Sequence, residues 1–105
     1  MDSASDKPHY ILCAAVWYDD GVKRVHLPRN IVTGIVASGW RHHNCFTILA
    51  ALYPNLEYMK APGKQIQGFL TNKGHFVNRL EAVDIALAAG QIKQTKKRLH
   101  SEDVW

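Results

Sequence analysis

A chain of 105 residues is long enough for one hydrophobic core and short enough that self-association would help it. Its 47% hydrophobic and 21% charged content excludes a disordered chain, and no apolar run approaches the about eighteen residues of a membrane span. The formal charge of +4 favours an anionic partner only weakly, because much of the excess lies in one tail, and two isolated cysteines, Cys13 and Cys45, exclude a disulfide framework.

The start, MDSASDKPHY, is polar, so residues 1–9 are expected to be a disordered leader without a signal peptide, and the protein to be cytoplasmic. Residues 10–105 are expected to form a single α+β domain, a small antiparallel sheet with two main helices. Tyr10 to Tyr18 is dense in apolar residues and Asp19-Asp20-Gly21 is a turn signal. Val22 to Leu27 alternates, so residues 10–27 are expected to make a first hairpin, stopped by Pro28. Asn30 to Gly39 is β-branched, with Gly34 and Gly39 suiting a strand that bulges or bends.

Arg41, His42, His43 and Asn44 precede the apolar segment Cys45 to Tyr53, for which Asn44 is a plausible N-cap and Pro54 a stop. Only Thr47 interrupts that segment, and a helix apolar all round must be covered on both sides. A second subunit is the economical cover, so a homo-oligomer is expected. The alternative is that Asn55 to Gln65, with Tyr58, Met59 and Pro62, folds over it.

Gly68 to Thr71, the turn Asn72-Lys73-Gly74 and His75 to Val77 read as a tight hairpin. Asn78 follows as an N-cap with Glu81 as its capping-box partner, and the helix from Arg79 closes at Gly90. This arrangement gathers Phe69, Phe76, Asn78 and Arg79 around one corner, as a stacking, amide and guanidinium set. The structural alternative is that both Phe are core and Arg79 is solvated. Beyond Gly90, Lys93, Lys96, Lys97 and Arg98 make a basic run, and in SEDVW Val104 and Trp105 are placed to dock back.

Catalytic and metal chemistry find little support. The histidines His26, His42, His43 and His75 lack HExxH or HxH spacing and there is no CxxC, so no metal is expected. No nucleophile elbow or phosphate loop occurs, and Cys45 at the start of an apolar helix reads as a small hydrophobe. A binding protein without a cofactor is therefore expected. A small basic nucleic-acid-binding or regulatory protein, and a weak nucleotide hydrolase using His42 and His43, stay as alternatives.

The ILCAA strand, RHHNC before an apolar helix, the GFLTNKGHFVNRLEA hairpin-helix and the AAGQI…LHSEDVW end together resemble the phage Thoeris anti-defence proteins of the first type. The resemblance runs from Tyr10 to Trp105, with the hairpin-helix and the SEDVW end its most specific parts. It implies a non-enzymatic sponge that sequesters a cyclic ADP-ribose isomer, and in some members cyclic di- or trinucleotides at separate sites. It also implies an antiparallel sheet with two helices, assembled as dimers and higher oligomers, so a dimer or trimer of dimers is expected; a membrane or nucleic-acid partner is not. Such a ligand needs a stacking surface, cations for its pyrophosphate and amides for its riboses. Phe69 or Phe76, then Arg79, Arg41 and the Lys96 to Arg98 cluster, then Asn78 and Asn72, are the candidates, with His42 beside Arg41.

Overall fold

The computed structural model describes residues 8–52 and 65–104. The apolar run of the N-terminal third becomes the long strand β1 (Ile11–Lys23), which is central to the sheet and therefore apolar on both faces. It pairs antiparallel with β2 (Thr33–Gly39) on one side and β3 (Gln65–Thr71) on the other, and β3 in turn pairs with β4 (Phe76–Asn78). Helix α1 (His42–Leu52) follows β2, α2 (Arg79–Ala88) follows β4 without a break, and a one-turn α3 (Ser101–Val104) ends the described chain. The fold is α+β, one four-stranded antiparallel sheet with two main helices.

The expected hairpin over residues 10–27 does not form. Asp19-Asp20-Gly21 is taken up inside β1 as an irregularity: the register to β2 shifts between Tyr18 and Lys23. Asp19 Oδ1 accepts from the Gly21 N–H (3.0 Å) and Asp20 Oδ1 from the Val22 N–H (3.0 Å), with Gly21 at φ +78°. Turn chemistry here bulges a strand instead of reversing it, because β2 offers a longer apolar partner than Val22 to Leu27 could. Residues 24–32 instead cross the second face of the sheet, where Ile31 packs with Ala15 and Phe76, and Leu27, Trp17, Val36 and Leu70 close around them.

The first face carries both helices. Ala14, Val16, Phe69 and Val77 of the sheet meet Cys45 and Leu49 of α1 and Ala82, Val83 and Ala86 of α2. Only Cys45 and Leu49 of α1 are buried, at i, i+4 spacing, while Ile48 and Leu52 are 41% and 54% exposed. The expected cover by residues 55–64, the stop at Pro54 and the docking of Trp105 lie outside the described residues, as does most of the expected leader. Helix α1 also begins earlier than expected. Asn44 lies inside it, and its side chain accepts the Arg41 N–H at 3.0 Å.

Three carboxamides close exposed backbone edges in the manner of a paired strand. Asn30 accepts the Phe76 N–H and donates to the Phe76 carbonyl. Gln91 does the same to Ile11 (2.9 and 2.8 Å), and Asn72 ties Tyr10 and Pro8 (2.9 and 2.7 Å). Gln91 and Asn72 thereby anchor the start of β1.

Candidate functional site

The corner where β4 becomes α2 is built by local sequence. Asn78 is the last residue of β4 and the N-cap of α2: it accepts the Glu81 N–H at 2.7 Å, and Glu81 accepts the Asn78 N–H at 2.9 Å. This reciprocal pair starts the helix abruptly and sets Arg79 and Leu80 on its first turn. β4 has only three residues and ends opposite Gly68, so Gln65 to Gln67 of β3 extend beyond it. A groove of about 450 Å³ opens there, floored by Gln65, Ile66 and Gln67 and walled by Asn78, Arg79 and Leu80.

The opposite wall comes from the C-terminal segment. No helix forms over the basic run; residues 91–100 are an irregular strap. Leu99 is fully buried in the main core, and its N–H donates to the Arg79 carbonyl at 2.9 Å. That bond pins the strap to the start of α2 and brings Lys97 and Arg98 to the groove.

Three cations thus face the groove, and its lining includes no carboxylate among the described residues. None of the three makes a salt bridge within those residues, whereas Arg24, Arg41 and Lys96 are paired with Asp20 (2.9 Å), Glu102 (3.2 Å) and Asp103 (2.5 Å). The N-terminus of α2 adds its own positive end. Leu80 (67% exposed) supplies apolar surface, and the carboxamides of Gln65, Gln67 and Asn78 supply donors and acceptors. Chemically this is a place for a small anion with a flat or apolar portion, and its volume is in the range of small-molecule sites. A wider depression along Gln91 to Lys97 is a poorer candidate, because Lys96 there is already engaged by Asp103.

Of the expected site residues, Asn78, Arg79, Lys97 and Arg98 are brought together. The others are not. Phe69 is fully buried among the helices, and Phe76 is 5% exposed on the other face, edge-on to Trp17 at 6.0 Å. Neither ring offers a stacking face, because strand alternation turns one to each core. Arg41 and His42 sit at the start of α1, outside the groove lining. His42 Nε2 donates to the Gly68 carbonyl at 2.8 Å, and its ring meets Phe69 edge-on at 5.1 Å. Burial holds its pKa below the ordinary value, against the opposing pull of that hydrogen bond. His43 is exposed one residue on, and adjacent helical positions do not share a face.

Sequence reasoning missed Gln65, Ile66 and Leu80 and did not choose Gln67. The alternation Gln65-Ile66-Gln67 at the edge of a strand longer than its partner was the available signal. Among the described residues no group of three or more His, Cys, Asp or Glu could hold a metal ion. Burial pushes the Cys45 thiol up to about 11 and the Cys13 thiol above its ordinary value, which disfavours the thiolate at either. No helix among the described residues is long and apolar enough to cross a membrane.

A family model described as Phage T4 y16D protein matches residues 10–105. No curated protein and no solved structure is a significant match.

Proposed function

The chain belongs to the phage T4 y16D protein family, and we propose that it is a binding protein that captures a small phosphate-bearing nucleotide in the groove between β3, α2 and the C-terminal strap. The observation that carries this reading is the set of three cations from two elements, Arg79, Lys97 and Arg98, facing one cavity without a counter-charge of their own among the described residues. Anions bind where charge is uncompensated and donors are already oriented.

The likeness to the anti-defence sponges narrows the ligand to a cyclic ADP-ribose isomer, with cyclic oligonucleotides as a related class. In that reading Arg79 and Arg98 grip the pyrophosphate, Lys97 adds a point charge, and Asn78 and Gln67 hydrogen-bond ribose hydroxyls. Leu80 flanks the base, in place of the buried phenylalanines. The product of binding is sequestration: the groove lining holds no Ser, Thr, Cys, His, Asp or Glu side chain among the described residues, and every contact goes to ground-state affinity. The uncovered Ile48 and Leu52 of α1 support self-association, which would seal that face.

Capture of cyclic ADP-ribose by the purified protein, followed by heating and chromatography of the released ligand, tests the reading. The expected result is a fixed ligand-to-subunit ratio with unmodified ligand recovered. A product that accumulates with time at substoichiometric protein overturns it and returns His42 and His43 as catalysts. Binding of nucleic acid with a steep, linear loss of log affinity in log salt, and none of the nucleotide, would replace it with the nucleic-acid alternative.

A further inference from the structure

Gln65 is the first residue of β3, opposite Tyr18 of β1, and strand alternation puts its side chain on the same face as Gln67 and Phe69, the side on which α2 packs. Its Nε2 is buried yet has no hydrogen-bond partner, one of only two such side-chain atoms among the described residues. The residue lines the basic groove. Elsewhere in the fold, carboxamides that hold the backbone together are fully matched. Asn30, Asn72 and Gln91 are each bonded at both the oxygen and the nitrogen. A buried amide donor left unmatched disfavours the folded state, and such groups are rare unless something outside the chain completes them.

We propose that Gln65 is a specificity-determining residue of the groove, its buried Nε2 donating to a ring nitrogen or ribose oxygen of the ligand. Arg79, Lys97 and Arg98 recognise any polyphosphate; Gln65 selects a diphosphate that carries a nucleoside. The inference rests on the nucleotide-capture reading of the groove. It predicts an opposition that a structural role would not produce: removing the donor relieves the free protein and harms the complex.

The test uses the full chain, with ADP-ribose and inorganic pyrophosphate as probes in calorimetry, and Gln65→Met as an apolar side chain of similar length. Wild type should bind ADP-ribose more tightly than pyrophosphate. Gln65→Met should melt at the same or a higher temperature, lose about tenfold in ADP-ribose affinity, and keep its pyrophosphate affinity. A lower melting temperature makes Gln65 a structural partner and overturns the proposal, as does an equal loss for both probes or a loss for neither. Arg79→Ala separates this from failure of the groove itself. If Arg79→Ala weakens both probes, the groove stands and Gln65→Met alone decides. If wild type binds neither probe, or Arg79→Ala leaves both unchanged, the groove reading falls and the specificity role with it.

Discussion

Helices α1 and α2 both begin where a strand of the sheet ends, and both bring an arginine to that corner, Arg41 before the first and Arg79 at the head of the second. At α1 the fold engages three of the polar groups: Glu102 reaches Arg41, the Gly68 carbonyl takes His42, and Asn44 takes the Arg41 N–H. At α2 the Asn78–Glu81 box satisfies the backbone, while the Arg79 guanidinium has no salt bridge among the described residues. One segment produces the difference. The C-terminal strap and α3 deliver a carboxylate, Glu102, to the first corner and two more cations, Lys97 and Arg98, to the second. A basic residue at a helix start is therefore not by that fact a ligand group. Its availability depends on what the rest of the chain brings beside it.

The largest effects should separate core from site. Phe69→Ala is expected to cost about 3–5 kcal/mol of stability, because the ring is fully buried between the sheet and both helices. Denaturant titration measures it; a loss below about 1 kcal/mol would mean the ring is not core and would reopen it as a stacking surface. Leu99→Ala should cost about 2–5 kcal/mol and also weaken nucleotide capture, since Leu99 pins the strap that carries Lys97 and Arg98. Capture is scored well below the melting transition of the variant. Retention of full affinity there would show that the strap does not wall the site.

Next in size is the direct contrast between the two corners. Arg79→Ala should lower affinity by about 1.5–3 kcal/mol, roughly tenfold to a hundredfold, with an unchanged melting temperature. Arg41→Ala should leave affinity alone, because that guanidinium is engaged with Glu102. Equal losses from the two variants would break the comparison, and a loss from Arg41→Ala alone would invert it.

The smallest effect is in pH. Burial depresses the pKa of His42 below 6.5 in the folded chain, and His9 shifts the same way, again chiefly through burial. Above 6.5 both are neutral folded and unfolded, so stability is fully present there. As pH falls below 6.5 the unfolded chain takes up protons that the folded one resists, and stability declines until the depressed folded pKa is passed. Melts between about pH 7.5 and pH 5.5 should show that decline, with a shallower slope in His42→Gln. A slope unchanged by that substitution would remove His42 from the buried set at the α1 corner.

What could be read from residue order alone was what depends on neighbours a few positions apart. The α+β class, the hairpin into α2, the Asn78–Glu81 capping box and Gly90 after the helix, at φ +75°, all rest on backbone groups within one or two turns of each other. That Asn78 and Arg79 share the corner at the start of α2 was legible for the same reason. The errors came where a distant segment decided. Asp19-Asp20-Gly21 has the chemistry of a turn, yet it became a bulge because β2 competed successfully for the edge of β1. Phe69 and Phe76 have stacking faces as isolated residues and lost them when helices covered one side of the sheet and residues 24–32 the other. Arg41 and Glu102 are 61 positions apart, and no periodicity links them. Burial and counter-charge are properties of the packed chain: they arise from long-range contacts whose partners a local pattern does not specify, and those two properties chose which of the basic corners stayed open.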